Sequence, residues 1–205
     1  MYILVTGAPG SRWSGVIANI YQSADIDQTD SSSNRQYARG VVKHTGAYFD
    51  PGMEFDNSID QWDKPFSGLG KRIIRSHTFA HRLLQLSNLG YPIVMVYRND
   101  YECYNWWCQA GGFDITYPDY KSYYQDLDNM WTQIKLQNNC IMEFVKKHSK
   151  HISTVDNNEE LCNTLDIAVP KHNILETRGV LITASFSIRV GDCYNSSDPK
   201  TKYWT

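Results

Sequence analysis

The first 21 residues constrain the fold more than any other part of the chain. Residues 1–6 (MYILVT) form an unbroken apolar run, which predicts a short strand buried on both faces. The run is followed by residues with the composition of a turn: Gly7, Ala8, Pro9, Gly10 and Ser11. Residues 14–21 then predict a short helix. A strand that leads through a glycine-rich loop into a helix is typical of open α/β folds.

Two later segments repeat this alternation of strand and helix. Residues 72–76 and 93–97 predict strands, and helices are predicted over residues 79–89 and from Asp100 onward. Such alternation favours parallel strands that are joined by crossover helices. By contrast, residues 23–70 are polar and rich in Ser, Asp, Gly and Pro, which indicates loops with only short elements.

The C-terminal half predicts fewer elements. Residues 121–149 predict a long helix with an apolar stripe that we expect in the core. The stripe consists of Leu127, Trp131, Ile134, Ile141 and Val145. Residues 161–167 predict a further helix and residues 180–188 a further strand.

The length of 205 residues, of which 41% are hydrophobic, fits one domain over residues 1–205 with a sizeable core. We therefore predict a three-layer, P-loop-like α/β fold, in which a central, mostly parallel sheet is flanked by helices.

The charge distribution says more than the net charge of −2, which carries no general signature of nucleic-acid binding. No Asp or Glu occurs from residue 64 to residue 99. The same stretch contains a series of basic side chains: Lys64, Lys71, Arg72, Arg75, Arg82 and Arg98, with His77 and His81. Such a segment favours a local positive potential and an anionic ligand.

The cysteines and the hydropathy predict the cellular compartment of the protein. The cysteine count of five is odd, and no Cys or His spacing typical of a metal site occurs, so we expect reduced thiols and no metal. No segment reaches the length of a membrane span or matches a signal peptide. These features predict a cytoplasmic protein that binds neither a membrane nor nucleic acid.

The loop at residues 7–14 is a candidate anion site, because backbone N–H groups and the helix N-terminus converge there. A kinase or NTPase would need GxxxxGK[ST], and no Gly-Lys pair occurs in the loop. A dinucleotide-dependent reductase would need GxGxxG, but Trp13 stands where the later glycine would fall. Tyr117 and Lys121 have the YxxxK spacing of some reductases, but Pro118 fits poorly in the helix that this pair requires.

Polar side chains follow the predicted strands at 72–76 and 93–97. In a parallel sheet, the carboxyl ends of these strands lie at the edge where the loop at 7–14 also lies. Arg12, Arg75, His77 and Arg98 are therefore expected to converge on one pocket. Cations and a neutral imidazole suit the transfer of a group whose negative charge is spread over its oxygens.

These segments resemble cytosolic sulfotransferases. RIIRSH at 72–77 is similar to the family's strand that ends in Lys/Arg, Thr/Ser and the catalytic histidine. VMVYRND at 94–100 is similar to its 3′-phosphate-binding strand, and GAPGSRWS at 7–14 takes the place of its 5′-phosphosulfate loop. The resemblance covers roughly residues 1–21 and 70–110. Two other segments, GAYFDPGMEF at 46–55 and WWCQAGGFDITYPDY at 106–120, resemble small sulfotransferase-like proteins of marine tailed phages, which implies the host cytoplasm.

The resemblance implies a donor, 3′-phosphoadenosine 5′-phosphosulfate, and an acceptor that is a small molecule or a glycan. It assigns His77 as the general base, Arg75 as the cation before the base and Arg98 as the 3′-phosphate ligand. Ser11 and Ser14 match the hydroxyl positions of the 5′-phosphosulfate loop.

The sequence departs from the family pattern at several positions. The loop lysine of the family is Gly10 here, so Arg12 is expected to supply that charge. Trp106 replaces the serine that follows the 3′-phosphate arginine by eight residues, and Asn105 is expected to donate a hydrogen bond instead. Trp13 and Trp106 are expected at the donor site as stacking surfaces.

The C-terminal signatures of the family are reduced to Arg178-Gly179 and Gly191-Asp192. Because of these departures, an inactive binding protein with the same fold remains an alternative. A kinase or a reductase, suggested by the loop alone, is a further alternative.

Overall fold

The computed structural model of the chain describes residues 1–29, 36–37, 44–45, 62, 66–115, 120–155, 157–171, 180–184 and 187–189. The strands are β1 (Tyr2–Gly7), β2 (Gln36–Tyr37), β3 (His44–Thr45), β4 (Arg72–Arg75), β5 (Ile93–Val96), β6 (Ser153–Val155), β7 (Val180–Ala184) and β8 (Ser187–Arg189). The α-helices are α1 (Trp13–Tyr21), α2 (Leu83–Ser87), α3 (Asp100–Gln109), α4 (Tyr120–Tyr124), α5 (Leu127–Lys147) and α6 (Asn158–Thr164). Short 3₁₀ helices cover His77–Arg82, Gly112–Asp114 and Ser149–His151.

The main sheet has the strand order β4-β1-β5-β7-β6, and β8 pairs with β7. Strand β1 lies parallel to both neighbours, so that Leu4 stands opposite Ile74 of β4 and Ile93 of β5. Strand β7 is antiparallel to β5, β6 and β8. The predicted α/β class and the parallel arrangement of the first three strands are confirmed.

The sheet as a whole is mixed, which corrects the prediction of a mostly parallel sheet. The segment predicted as one strand at 180–188 forms β7 and β8, which pair antiparallel. An apolar β-branched run has the same composition whichever way it runs, so its direction was not readable from the sequence.

Helices cover both faces of the sheet. Alternate residues of β1 point to opposite faces, as a strand requires. Ile3 and Val5 pack on the face of α1 and α6, together with Ile17 and Leu161. Leu4 packs on the opposite face, where the 3₁₀ helix at His77–Arg82, α2 and α5 lie. The predicted arrangement of a sheet between two helical layers is present in the described residues.

The buried face of α5 differs in part from the predicted stripe. Ile134, Ile141 and Val145 are buried as expected. Leu127, however, is 51% exposed, and Trp131 is only partly buried. Met130 takes the buried place at the start of the helix. Leu127 and Trp131 have the same helical spacing as the buried residues, but they lie on a neighbouring face of the helix. The packing of α3 against α5 decides which of these two faces is buried.

Gly10 fixes the distance between the loop after β1 and helix α3. Its φ of 78° lies in the left-handed region. A Cβ atom at this position would collide with the carbonyl oxygen of Cys103 and lie 2.9 Å from the backbone nitrogen of Trp107. Only glycine combines this conformation with such close backbone contact.

We predict that Gly10→Ala lowers the free energy of unfolding by about 3 kcal/mol or more, because left-handed strain and overpacking add. Urea denaturation followed by circular dichroism measures the change. Gly90→Ala is the matched control, since Gly90 has a similar φ of 74° in the loop after α2. The control should lose only the backbone term of about 1–3 kcal/mol. Equal losses in the two variants would contradict the proposed role of the contact with α3.

Candidate functional site

The site lies at the carboxyl ends of β4, β1 and β5. Because these three strands are parallel, the residues that follow them meet at one edge of the sheet. The buried hydroxyl of Thr6, near the end of β1, donates a hydrogen bond of 2.8 Å to the carbonyl oxygen of Ser76. This bond joins the ends of β1 and β4, from which the loop and His77 emerge.

The loop between β1 and α1 is a tight turn. The backbone N–H of Ser11 donates to the carbonyl oxygen of Ala8 at 3.0 Å. Ala8 and Pro9 are buried, and Gly7 is so close to Ser11 that a Cβ there would lie 2.5 Å from the serine hydroxyl oxygen. Arg12 adopts the left-handed conformation with φ 64° and ψ 21°, and α1 begins at the next residue.

The N-terminus of α1 lacks the side-chain cap found at other helices. Asn99, Asp126 and Asn157 accept hydrogen bonds from the first turns of α3, α5 and α6. No side chain does so at α1. The hydroxyl of Ser11, fully buried beside this helix end, has no hydrogen-bond partner among the residues that the structure describes. Uncapped N–H groups and an unpaired buried hydroxyl suit an anion.

His77 lies against the loop and is completely buried. Its Nδ1 forms a short hydrogen bond with the carbonyl oxygen of Gly7. A carbonyl only accepts, so the proton lies on Nδ1 and Nε2 has a free lone pair. The ring of Trp13 is tilted by 32° against the imidazole with centroids 4.1 Å apart. The hydroxyl of Tyr120 lies 3.5 Å from Nε2.

Burial lowers the pKa of His77 to about 3, and the positive charge of Arg75 acts in the same direction. The hydrogen bond to Gly7 opposes this shift. His77 is therefore neutral at pH 7, which is the form that a general base requires.

Two arginines stack on aromatic rings at the loop. The guanidinium carbon of Arg75 lies 5.0 Å from the centre of the Trp13 ring, and that of Arg12 lies 4.2 Å from the centre of the Trp106 ring. Arg75 is buried, and Arg12 is partly exposed. Cation–π stacking of this kind holds a guanidinium in a fixed place. Trp13, Arg75 and His77 thus form one contact group.

The structure buries Arg98 just after β5, in contact with the start of α3. Its side chain is 1% exposed, lies 3.6 Å from a carboxylate oxygen of Glu102, and donates to the carbonyl oxygen of Tyr97 at 2.8 Å. The assignment of Arg98 to the 3′-phosphate stays a prediction.

The remaining predicted site residues lie near the start of α1 and on α3. Ser14 is half-buried in the first turn of α1. Trp106 is half-buried beneath Arg12, whereas Asn105 is exposed. The structure thus brings Trp106 next to the loop and does not bring Asn105 into contact with it. The signatures expected at Arg178-Gly179 and Gly191-Asp192 lie outside the described residues, as do Tyr117 and Pro118.

Acidic residues from distant parts of the chain pair with the basic stretch. Lys71 lies 3.1 Å from Asp166, and Arg72 lies 3.4 Å from Asp27. Together with the Arg98–Glu102 pair, these contacts offset much of the positive charge that the sequence shows between residues 64 and 99. Arg12 and Arg75 lie at the loop, where they stack on Trp106 and Trp13.

Sequence reasoning missed Tyr120 and Glu102. Tyr120 begins α4 and is far from His77 in the sequence, so only the fold brings the two side chains together. Glu102 follows Arg98 by four residues, and this spacing was a readable signal for an ion pair.

Comparisons of the chain with protein-family models, curated proteins and solved structures found no match. In the part of the chain that the structure describes, no group of three or more His, Cys, Asp and Glu side chains could hold a metal ion. No helix among the described residues is long and apolar enough to cross a membrane.

The lowered pKa of His77 predicts a pH-dependent stability. Unfolding exposes the imidazole, whose pKa then returns to about 6.5. The unfolded chain therefore binds an extra proton as the pH falls below about 6.5, and this favours unfolding down to about pH 3. The contribution of His77 to the free energy of unfolding should fall by about 1.4 kcal/mol for each pH unit within that window.

Urea denaturation of the wild type and of His77→Asn at several pH values from 7 to 4 tests this expectation. The Asn amide can still donate to Gly7 but does not titrate, so the variant should show a shallower loss of stability. His151→Asn is the control, because His151 is exposed. Parallel curves for the wild type and His77→Asn would contradict the assignment.

Proposed function

We propose that the chain is a sulfotransferase that binds 3′-phosphoadenosine 5′-phosphosulfate at the loop between β1 and α1. The observation that carries the proposal is the contact group of Trp13, Arg75 and His77 beside an uncapped helix N-terminus. It combines a cation, a neutral imidazole and a helix start without a side-chain cap at the end of one strand pair. As part of this proposal, we assign the α/β fold to the P-loop-like type.

The loop suits the 5′-phosphosulfate end of the donor. The uncapped start of α1 offers N–H groups to phosphate oxygens, and the hydroxyl of Ser11 is a buried donor without a partner in the described part of the chain. Arg12 stands where the loop turns into the helix and supplies the charge of the missing loop lysine. Trp13 is buried against His77 and Arg75, so the half-buried ring of Trp106 is the surface that suits the adenine.

In the proposed reaction, no group of the protein forms a covalent bond with the donor or the acceptor. The acceptor oxygen attacks the sulfur, the bond between sulfur and the bridging oxygen of the 5′-phosphate breaks, and the bisphosphate leaves with the electron pair. Arg12 and Arg75 offset the charge on the sulfuryl and phosphate oxygens, and His77 takes up the acceptor proton at Nε2.

A binding protein without activity is the second candidate, and it is favoured by the environments of Arg98 and His77. A 3′-phosphate at Arg98 would have to compete with the carboxylate of Glu102, since the two anions repel each other. The low pKa of His77 also makes the imidazole a weak base in the absence of ligand. Donor binding without turnover is the behaviour expected of such a protein.

We predict that 3′-phosphoadenosine 5′-phosphate raises the melting temperature, because it binds only the folded state. A hundredfold excess over the dissociation constant adds about 2.7 kcal/mol, which corresponds to a shift of about 5–10 °C for a domain of this size. AMP, ATP and NADPH serve as comparison ligands in the same thermal titration. An equal shift with AMP would remove the 3′-phosphate from the proposal, and a shift with NADPH alone would favour a reductase.

We also predict that Arg12→Asn weakens binding of the bisphosphate by about 10- to 100-fold, as expected for the loss of a charged hydrogen bond worth about 1.5–3 kcal/mol. Asn is chosen because it tolerates the left-handed backbone. Isothermal titration calorimetry measures the affinity. Arg82→Asn removes the same charge from the 3₁₀ helix and should leave the affinity within about twofold. Similar losses in both variants would indicate a general charge effect and contradict a site at the loop.

A further inference from the structure

His77 is enclosed by its neighbours in the described part of the chain. The imidazole has no exposed surface, its Nδ1 is used by Gly7, and the ring of Trp13 covers one of its faces. The hydroxyl of Tyr120 is the described side-chain group next to Nε2, at 3.5 Å. A substrate hydroxyl that reaches this edge therefore meets Tyr120 before it meets the histidine.

The ring of Tyr120 is held in place by its neighbours. It stacks on Tyr124 with an interplanar angle of 17° and centroids 6.0 Å apart, and the edge of Trp107 packs against it at 5.9 Å. Tyr120 is itself 7% exposed, so it is buried but closer to the surface than His77. Rings packed in this way leave the direction of the hydroxyl fixed, because a tyrosine has few rotatable bonds.

We propose that the hydroxyl of Tyr120 is a catalytic relay that carries the proton of the acceptor to Nε2 of His77. This inference rests on the proposed sulfuryl transfer. The separation of 3.5 Å is long for a hydrogen bond, and catalytic hydrogen bonds often shorten only when the substrate is bound.

The proton steps balance. The acceptor hydroxyl gives its proton to the phenolic oxygen while the phenolic proton moves to Nε2, so Tyr120 ends neutral and His77 becomes an imidazolium. The acceptor oxygen forms the new bond to sulfur, and the electron pair of the broken sulfur–oxygen bond leaves with the 5′-phosphate. The imidazolium then returns its proton along the same route after the products depart.

The bound donor makes this protonation easier. In the free protein, burial and Arg75 keep His77 neutral. A phosphosulfate group at the loop adds negative charge next to the imidazole and offsets the effect of Arg75, which raises the pKa of His77. The relay therefore operates when the donor is in place and is suppressed when the loop holds no anion.

The test compares Tyr120→Phe with Tyr124→Phe in the full chain. Both variants remove one hydroxyl from α4 and keep the ring, but the hydroxyl that lies 3.5 Å from Nε2 of His77 is that of Tyr120. We measure donor turnover as formation of 3′-phosphoadenosine 5′-phosphate with a panel of phenols, sugars and amines. Calorimetry with the same bisphosphate measures donor binding separately.

Tyr120→Phe should lower kcat by about 100-fold, in the range of general acid–base effects, with the affinity for the bisphosphate unchanged. Tyr124→Phe should retain turnover within about threefold. A wild type that turns over while Tyr120→Phe keeps its rate would overturn the relay and leave the sulfotransferase proposal intact. A wild type that neither binds the bisphosphate nor turns over the donor would overturn both.

A measurement on the wild type guards against a variant that does not fold. The ¹⁵N resonances of the His77 ring report which nitrogen carries the proton and whether Nε2 accepts a hydrogen bond. The relay requires the proton on Nδ1 and a hydrogen-bonded Nε2, and the Nε2 resonance should move when Tyr120 loses its hydroxyl. A proton on Nε2 in the wild type would overturn the inference.

Discussion

The pairing of β1 between β4 and β5 is the interaction on which the rest of the structure depends. Parallel hydrogen bonds run along both edges of β1, and Leu4, at its middle, is fully buried. Full burial of such a side chain contributes about 1.5–3 kcal/mol. The same pairing sets the ends of three strands side by side, and this is why the loop after β1 and the residues after β4 belong to one site.

Close contacts hold the loop after β1 against the segments that follow β4 and β5. Gly10 packs against the backbone of α3, and the Nδ1 of His77 bonds to the carbonyl of Gly7. Each contact joins the loop to an element that follows a neighbouring strand. The loop is thus held from both sides, as the preorganised binding of an anion requires.

The electrostatics of the site follow from burial rather than from the number of charges. Arg98 and Glu102 neutralise each other inside the protein, and Lys71 and Arg72 pair with acids from other segments. His77 is kept neutral by desolvation and by Arg75. Of the basic stretch between residues 64 and 99, Arg75 joins Arg12 in a cationic group at the loop.

Hydrophobic runs and turn residues in the sequence alone determined the first strand, the loop, helix α1 and the strands near residues 72–76 and 93–97, because these patterns are local. The expectation that Arg75 and His77 lie beside the loop followed from the parallel order of those strands. Local patterns do not encode strand direction, so β7 and β8 were not foreseen as an antiparallel pair. Nor do they decide which of two overlapping helix faces is buried, as Trp131 illustrates. Tertiary packing alone placed Tyr120 against His77, since contacts between distant segments depend on how the layers close.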